Sequence, residues 1–425
     1  MGDRSARIAV VGLGYVGIPV AASFAAAGFD VVGVDQDPVR VDALSRGTLP
    51  LATTEPGLES LLKAAISAGR FRATTDEEAI GERAIAIVAV STPIDDHHRP
   101  DTRALERACR SIAQRITRPG LVVIESTVAP KTMRSLVAPI FGEGVFLMHC
   151  PERVKPGRLL RNLRGMSRLV GVSDPQVGAL GTALYQSIVQ AELVVTDWET
   201  AEVIKTAENA MRDVQIAMGN QLALICDHAG VDVRTVREQI NRLWSDQPLI
   251  LDPGPGVGGY CLPKDPWLLV SAVPPGAATA LIEGARTLNE SMPAHVADIV
   301  ARACTVAELD PRDATIAILG LTYDADSDDE RNAPGPRVGS ALEMRGARVV
   351  RHDPFAAPGR LEDVLRGTDA AVIVVSHSLY RTADWAGLAR VMRHRVLVDC
   401  RRALDADVLR TLGFSYYGLG VAALR

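Results

Sequence analysis

Short apolar runs alternate with longer segments of helical period along the first part of the chain. Residues 7–11 form an apolar run that ends at glycines, and a helix-like segment follows it to Ala27. A second apolar run covers 30–35 and leads into a helical stretch through Arg46. The order strand, glycine turn, helix and strand predicts a βαβ unit.

Further runs at 84–90, 121–124 and 146–148 are apolar throughout rather than alternating. Continuous apolar strands are typical of a parallel sheet that is covered on both faces. The pattern therefore predicts an α/β domain at the start of the chain.

A long segment with helical character runs from 197 to 229. Thr196 and Glu199 have the spacing of a capping box at its start, and Gly230 is a typical stop. The segment is too long for a crossover helix of a compact sheet. We therefore expect it to join two domains and to offer a dimer surface.

Strand-like runs return in the last third of the chain, separated by helix-length segments, at 315–320, 347–352, 370–376 and 395–399. This alternation predicts a second α/β domain with a parallel sheet. The expected fold is two Rossmann-like, doubly wound parallel-sheet domains joined by a long central helix and a helical middle domain. The expected boundaries are 1–195, 196–305 and 306–425.

Composition narrows the function classes. The 425 residues hold 46 basic and 51 acidic side chains, a net charge of −5, so a nucleic-acid partner is not expected. Six cysteines without a CxxC pair predict neither a disulfide framework nor a metal site. The apolar stretch 8–29 has the length of a membrane span, but its glycines fit a turn better. We expect a cytoplasmic protein with no membrane partner.

The first glycine turn predicts a dinucleotide site. Gly12, Gly14 and Gly17 close the first strand and open the first helix, as phosphate-binding turns do. Asp35 ends the second strand, where a carboxylate accepts hydrogen bonds from ribose and repels a 2′-phosphate. The expected cofactor is NAD, with Arg40 flanking the adenosine ribose.

Two other loops belong to the carboxyl edge of the same predicted sheet. Residues 91–93 (Ser-Thr-Pro) follow the strand at 84–90, and residues 125–127 (Glu-Ser-Thr) follow the strand at 121–124. A dinucleotide bound at that edge runs past such loops. Considered alone, either loop is also compatible with an ordinary strand end.

Cys261 is the strongest candidate for a nucleophile. It follows a glycine-rich loop and precedes a predicted helix, and Lys264 lies close by. A helix N-terminus and a cation both lower the pKa of a thiol. Asp265 is four residues further and shares the same helix face. Lys205 and Asn209 repeat this spacing on the long helix, where a solvated helix face is the alternative.

These residues resemble the nucleotide-sugar 6-dehydrogenase family, which includes UDP-glucose, UDP-N-acetylglucosamine and UDP-N-acetylmannosamine dehydrogenases. The resemblance covers nearly the whole chain. Its motifs, in chain order, are GLGYVG (12–17), STP (91–93), EST (125–127), CPERVKPG (150–157), AEVIKTAEN (201–209), GVGGYCLPKD (256–265), DDERNAP (328–334), HDP (352–354) and DCRR (399–402).

The resemblance implies a four-electron oxidation of the sugar C6 hydroxymethyl with two NAD in turn. Cys261 is implied as the nucleophile that forms a thiohemiacetal and then a thioester. Lys205 and Asn209 resemble the pair that stabilises the C6 oxyanion. The implied catalytic set is Cys261, Lys205, Asn209, Asp265, Glu152 and Thr127.

The resemblance also implies the ligand contacts and a homodimer through the long helix. The implied cofactor residues are Gly12, Gly14, Tyr15, Val16, Gly17, Asp35, Arg40, Ser91, Thr92, Pro93, Thr127 and Arg331. The implied UDP-sugar residues are Glu152, Arg153, Val154, Lys155, Lys205, Asn209, Arg242, Gly258, Tyr260 and Tyr323.

The loop at 150–157 resembles the N-acetylhexosamine branch more than the UDP-glucose branch. Two positions depart from the family pattern: Tyr260 stands where that branch commonly has His, and Asp324 stands where the family commonly has Lys. Arg331 matches the family arginine beside this acidic stretch. UDP-glucose oxidation remains the first alternative. A single-step 3-hydroxyacid dehydrogenase is a remote one, since it would have neither the cysteine nor the last domain.

Overall fold

A computed structural model describes residues 6–51, 55–244, 249–274 and 276–421. The chain folds into two compact units. The first consists of Met1–Glu208 and Trp267–Pro275, and the second of Asn209–Pro266 and Gly276–Arg425. The division falls inside two helices, so it does not coincide with the three predicted segments, which stay a prediction.

The first unit is built on an eight-stranded sheet in the order β3-β2-β1-β4-β5-β6-β7-β8. The strands are β1 (Arg7–Val11), β2 (Asp30–Val34), β3 (Phe71–Thr74), β4 (Ile85–Val88), β5 (Gly120–Ile124), β6 (Val145–His149), β7 (Arg168–Val172) and β8 (Leu193–Thr196). Its α-helices are α1 (Gly17–Ala26), α2 (Pro38–Ser45), α3 (Leu58–Ser67), α4 (Arg103–Arg115), α5 (Leu159–Gly165) and α6 (Pro175–Tyr185).

Both faces of this sheet are buried, which explains the continuous apolar strands. On β1, Ile8 and Val10 pack into one core, whereas Ala9 packs into the core on the other face. The predicted βαβ order and the parallel pairing of β1 with β2 and β4 are confirmed. The expectation of a wholly parallel sheet is wrong at one place, because β7 runs antiparallel to β6.

Four helices follow along the chain: α7 (Trp198–Ala229), α8 (Val233–Trp244), α9 (Cys261–Val270) and α10 (Ala280–Val306). The long helix is confirmed, and Gly230 ends it with a positive φ of 71°. The predicted capping box is wrong by one residue. Thr196 is the last residue of β8 and pairs with Gly171 of β7. Asp197 caps the helix instead, because its carboxylate accepts the Thr200 amide at 2.8 Å.

The second unit contains a five-stranded parallel sheet in the order β10-β9-β11-β12-β13. Its strands are β9 (Thr315–Leu319), β10 (Arg348–His352), β11 (Ala370–Ile373), β12 (Val396–Asp399) and β13 (Ser415–Gly418). Its later helices are α11 (Pro334–Glu343), α12 (Leu361–Leu365), α13 (Ser378–Arg381), α14 (Trp385–Val391) and α15 (Ala406–Thr411). This sheet too is buried on both faces. Two Rossmann-like sheets, parallel except where β7 meets β6, and a helical middle are therefore confirmed.

Within the described residues, no helix combines the length and the apolar character needed to cross a membrane.

Candidate active site

The first glycine turn has the geometry that the fingerprint predicts. Gly12 has a φ of 93°, and a Cβ on Gly17 would lie 1.8 Å from the carbonyl oxygen of Gly12. Only a residue without a side chain allows that approach. A Cβ on Gly14 would meet no atom within 4 Å. The backbone between β1 and α1 is therefore open to a ligand at Gly14, as a pyrophosphate site requires.

Asp35 connects the end of β2 to this turn. Its Oδ2 accepts the Leu13 amide at 2.7 Å, and its Oδ1 accepts Nη1 of Arg40 at 3.0 Å. Tyr15 and Val16 follow in the same turn and are half-buried. A carboxylate fixed at this point and an open glycine fit the ribose and pyrophosphate of NAD.

The loops after β4 and β5 are held together by side-chain hydroxyls. Thr92 Oγ1 donates to the carbonyl of Thr127 at 2.6 Å, and Ser126 Oγ donates to the carbonyl of Val90 at 2.7 Å. Ser91 and Pro93 flank the buried Thr92. The two predicted loops therefore lie side by side at the carboxyl edge of the sheet.

Glu202 is a residue of this edge that sequence reasoning missed. Its carboxylate on α7 accepts the amides of Lys131 at 2.6 Å and Met133 at 2.7 Å. Burial raises the pKa of Glu202 to about 7, although both amides oppose the shift. Glu202 connects the loop after Thr127 to the helix that carries Lys205. Glu202 belongs to the AEVIK motif, which the sequence shows. Its partner Lys131 was not predictable, because it lies about seventy residues away in sequence.

The loop at 150–157 is fixed mainly by carboxylates. Glu152 is buried, and its Oε2 accepts the Val154 amide at 2.5 Å. Arg153 is bound to Glu208 at 3.0 Å and to the carbonyl of Ser167 at 3.0 Å. The Arg153 guanidinium is thus occupied by this unit's own groups.

The same loop is anchored at its far end by Glu55, a second missed residue. Its two carboxylate oxygens accept the amides of Gly157 at 2.6 Å and Leu159 at 3.1 Å. Lys155, between the two anchors, is exposed. The loop therefore presents Lys155 outward while its backbone is fixed at both ends.

Lys205 does not lie on a solvated helix face. It is only 5% exposed, and its charge contributes to lowering the pKa of the buried His149, which burial brings to about 4. Asn209, one turn later on α7, is half-buried. The solvated alternative for this pair is therefore wrong.

In the second unit, Cys261 is the first residue of α9, as predicted. Asp265 is fully buried one turn later and accepts Nδ2 of Asn209 at 2.6 Å and Nζ of Lys264 at 2.5 Å. Burial alone would lower the pKa of Lys264, but the negative charges of Asp265 and Cys261 raise it. An ammonium is therefore stable beside the cysteine, where the sequence analysis expects a cation.

The glycine-rich loop before Cys261 packs closely on the residues after β9. A Cβ on Gly258 would lie 2.4 Å from Cβ of Tyr323, so this contact needs glycine. The Gly254 amide donates to Oδ1 of Asn220 on α7 at 2.8 Å. Two of the predicted substrate residues, Gly258 and Tyr323, thus lie against each other.

Tyr260 occupies the position that departs from the family pattern, and its ring lies close to two cations. Nζ of Lys264 is 5.1 Å and the guanidinium carbon of Arg331 is 5.7 Å from the ring centroid. The negative face of an aromatic ring attracts cations at such distances. Arg331 also binds Asp329 through two nitrogens, the shorter contact being 2.6 Å.

The acidic stretch around Asp324 is largely engaged within its own unit. Asp326 accepts the amide and the hydroxyl of Ser378 at 2.8 and 2.6 Å. The charge of Asp324 acts on Arg401, whose pKa burial nevertheless lowers. The acids that stand where the family has a cation thus balance arginines of the second unit.

Arg401 itself was quoted in the DCRR motif but not assigned a role. Its Nε donates to the carbonyl of Val374 at 3.2 Å, and its Nη1 would lie 2.4 Å from a Cβ on Gly254. Arg401 also lines a small surface pocket with Arg234, Arg237, Asp252, Pro253, Arg402, Val233, Cys400 and Leu419. Arg242, the predicted substrate residue on α8, is exposed.

The predicted catalytic residues are thus divided between the units. Thr127, Glu152 and Lys205 belong to the first unit, and Asn209, Cys261 and Asp265 to the second. Each set contains a buried charged group beside a polar partner. Their catalytic roles stay predictions.

Comparison with known proteins identifies the family. Three sequence models of the UDP-glucose/GDP-mannose dehydrogenase family match: the NAD binding domain at 6–189, the central domain at 199–291 and the UDP binding domain at 317–406.

Curated relatives and a solved structure agree with these matches. The chain is 37% identical to UDP-N-acetyl-D-mannosamine dehydrogenase of Pyrococcus horikoshii, over 97% of this chain and 99% of the relative. It is 35% identical to NDP-N-acetyl-D-galactosaminuronic acid dehydrogenase of Ralstonia nicotianae, over 93% and 95%. A solved structure of UDP-D-ManNAc dehydrogenase from Pyrococcus horikoshii superposes with a TM-score of 0.92 at 35% identity, covering 98% of this chain and 99% of that one. The chain therefore belongs to the UDP-glucose/GDP-mannose dehydrogenase family and is an NAD-dependent nucleotide-sugar dehydrogenase.

Proposed function

We propose that this enzyme oxidises the C6 hydroxymethyl of a UDP-N-acetylhexosamine, UDP-ManNAc or UDP-GlcNAc, to the carboxylate. The observation that carries the proposal is Cys261 at the start of α9, one turn from a buried Asp265 that Asn209 and Lys264 hold. The names of the relatives and the ER-x-x-PG form of the 150–157 loop support the N-acetylated sugar.

In the first half of the reaction the C6 alcohol loses a hydride and a proton and becomes an aldehyde. NAD supplies the hydride acceptor in both oxidations. Sγ of Cys261 then forms a bond to the aldehyde carbon, and the carbonyl oxygen becomes the hydroxyl of a thiohemiacetal. The ammonium of Lys205 and the amide of Asn209 stabilise the oxyanion during this addition.

In the second half the thiohemiacetal loses a hydride and a proton and becomes a thioester on Cys261. The oxygen of a water molecule then bonds to the thioester carbon, and the C–S bond breaks. Sγ takes one proton of the water, and the other is released with the carboxylate. Glu152 serves this hydrolysis, Thr127 orders the water, and Asp265 assists the proton transfer. A covalent intermediate thereby divides a four-electron oxidation into two hydride steps.

Ligand contacts follow the same division. The glycine turn with Asp35 and Arg40, and the loops carrying Thr92 and Thr127, bind NAD; we expect Arg331 to contact it as well. The uridine diphosphate and the sugar contact the residues implied for substrate, from Glu152 to Tyr323. Arg153 would exchange its contacts with Glu208 and Ser167 for the ligand. We further expect the enzyme to work in the cytoplasm, where thiols stay reduced.

A substrate panel tests the proposal. Purified enzyme is given NAD with UDP-ManNAc, UDP-GlcNAc or UDP-glucose, and the product is identified by its mass. We expect a uronic acid from one N-acetylated sugar, with kcat/KM at least tenfold above that for UDP-glucose. Turnover of UDP-glucose alone would replace the proposed substrate by the first alternative and leave the chemistry intact.

We also propose a homodimer through α7. Four large apolar side chains of this helix are exposed: Val203 by 42%, Met211 by 59%, Met218 by 45% and Ile225 by 54%. At roughly 100° per residue they fall within a sector of about 80° on one side. The buried side of the same helix is mixed: it carries small apolar residues and several polar ones, among them Glu202, Asp213 and Asn220. A contiguous stripe of large apolar side chains on the exposed side of a helix is typical of an interface.

Light scattering after size exclusion tests the dimer. Met218→Glu should convert a mass of two chains into a mass of one, because the charge enters the centre of the stripe. Met344→Glu is the matched control, since Met344 follows α11 rather than lying on α7 and is 81% exposed. A dimer that survives Met218→Glu would contradict this interface.

A further inference from the structure

Three buried side chains of the first unit form a charged cluster that the reaction described above does not use. Glu125 follows β5, Arg168 opens β7 and Tyr185 ends α6. None of the three is more than 2% exposed. Because burying charged side chains costs free energy, the presence of this cluster in the interior requires an explanation.

One nitrogen of Arg168 makes the polar contacts of its guanidinium. Nη2 donates to the carbonyl of Cys150 at 2.9 Å and lies 3.1 Å from Oε2 of Glu125. The hydroxyl of Tyr185 donates to the other carboxylate oxygen. In the described part of the chain, Nε and Nη1 of Arg168 have no hydrogen-bond partner.

Added stability is not the usual reason for such an arrangement. A buried ion pair with unsatisfied nitrogens is commonly no more stable than an apolar group of the same volume. Burial also raises the pKa of Glu125, although the charge of Arg168 opposes the shift. Removing the charged side chains of Arg168 and Glu125 from water costs free energy. The role of the cluster is therefore sought in the parts of the backbone that it connects.

What Arg168 holds is the pair of strand ends at the edge of the sheet. Its two partners are the side chain of Glu125, through an ion pair, and the carbonyl of Cys150, through a hydrogen bond. Each lies two residues before a predicted hydrolytic residue, Thr127 or Glu152. The backbone pairing is weakening here: Cys150 N donates to Ile124 O at 2.9 Å, but the next contact, Glu152 N to Glu125 O, is 3.4 Å. The contacts of Arg168 with Glu125 and Cys150, which we call the side-chain clamp, begin where the backbone hydrogen bonds between β5 and β6 end.

We propose that Arg168 is a positioning residue for the hydrolysis of the thioester. By fixing the ends of β5 and β6 to each other, it sets the backbone from which Thr127 and Glu152 extend. The inference rests on the proposed function, in which these two residues act on the attacking water. The first oxidation needs no attacking water, so the loss of these contacts should affect it much less than the hydrolysis.

The test separates the two halves of the reaction. Enzyme with Arg168→Met is mixed with saturating NAD and nucleotide sugar, and NADH is followed from the first turnover. We expect a burst of up to two NADH per site, then a steady rate at least 20-fold below that of the natural enzyme. Acid-quenched protein should carry the acyl group on Cys261 by mass. The KM for NAD, whose binding also involves the loop of Thr127, should change far less than the steady rate.

Arg83→Met is the matched control. Arg83 is also a buried arginine of the first unit, with a 3% exposed side chain, and it pairs with Glu82 at 3.2 Å beside the opposite end of the sheet, before β4. We expect a similar loss of thermal stability without a burst and without an acyl adduct. Arg168→Lys should restore most of the steady rate, because a single ammonium reaches both acceptors that Nη2 now contacts.

A double variant, Glu125→Gln with Arg168→Met, removes the buried charges together. A positioning role predicts that the burst and the adduct persist, whereas a role in stability alone predicts that the rate returns. An equal loss in the first and later turnovers of Arg168→Met, with no adduct, would overturn the inference. If the natural enzyme instead releases no NADH with any nucleotide sugar, the proposed function itself has failed.

Discussion

The two units contain the same βαβ turn, and only the first leaves space at its middle residue for the pyrophosphate of a dinucleotide. In the first turn Gly12 has a φ of 93° and the Asp35 carboxylate accepts the Leu13 amide at 2.7 Å. In the second, Gly320 has a φ of 105° and Asp353 accepts the Leu321 amide, again at 2.7 Å. The backbone geometry is therefore repeated almost unchanged.

The side chains make the difference. The residue after Leu13 is Gly14, where a Cβ would meet nothing within 4 Å. The residue after Leu321 is Thr322, which is buried with its hydroxyl 3.3 Å from Asp353 and 3.2 Å from His377. The second turn is filled by its own protein. A glycine turn with an acidic residue at the next strand end is therefore not enough to define a dinucleotide site. The site also requires free space at the middle position of the turn.

The feature common to both turns gives the largest expected effect. A Cβ on Gly17 would lie 1.8 Å from the carbonyl oxygen of Gly12, and a Cβ on Gly335 would lie 2.0 Å from that of Gly320. Gly17→Ala and Gly335→Ala should each destabilise the fold by about 3 kcal/mol or more, since backbone cannot yield as a side chain does. Urea unfolding measures both. A stable Gly335→Ala protein would show that the two turns are not equivalent.

Filling the open turn gives the next effect. Gly14→Thr copies the second turn into the first, and we expect the Kd for NADH to rise at least 100-fold, about 2.7 kcal/mol. The melting temperature should change little, because the space is unoccupied by protein. Thr322→Gly is the reciprocal control and should leave the Kd unchanged. Tight NADH binding by Gly14→Thr would contradict the assignment of the site.

Substitution of Asp353, the carboxylate of the second turn, should instead change the free energy of unfolding. Burial alone would raise the pKa of Asp353, but hydrogen bonds from His377 and from the Leu321 and Phe355 amides lower it. Asp353→Asn should destabilise the protein by about 2 kcal/mol. Since the folded pKa is depressed, this difference should be constant above about pH 5 and shrink as the pH falls below about 4. Urea titrations across that range measure it; a difference that grows on acidification would contradict the ionised state.

Substitution of Asp35, the carboxylate of the first turn, should give the smallest effect. It should change the preference between NAD and NADP. Asp35→Asn keeps the shape but removes the charge that repels a 2′-phosphate. We expect the preference for NAD over NADP to fall about tenfold, roughly 1.4 kcal/mol. The ratio of kcat/KM for the two cofactors is the measurement, and an unchanged ratio would remove Asp35 from the ribose site.

The sequence predicted those parts of the fold and site that depend on local pattern. The apolar runs located β1, β2, β9 and β12, and the spacing of Cys261 and Asp265 placed them one turn apart on a helix. Contacts between distant segments were out of reach. Asn209 meets Asp265 across 56 positions, and Glu202 binds amides some seventy residues away.

The edge strands β3, β8 and β13 were also missed, whereas the edge strand β10 was located. Strand β8, with Val194 and Val195 exposed, lacks the buried face that creates a recognisable period. The antiparallel turn from β6 to β7 depends on a loop path that polarity does not encode. The cap of α7 was displaced from Thr196 to Asp197 because strand pairing had already engaged the threonine.

The count of NADH released per sugar consumed, in the natural enzyme and in Cys261→Ser, tests the central claim most directly. The natural enzyme should release two NADH per sugar and yield a uronic acid. A serine hydroxyl cannot form a thioester, so Cys261→Ser should not turn over beyond the first oxidation and should release at most one. Two NADH per sugar from the variant would contradict the covalent mechanism, whichever nucleotide sugar is used.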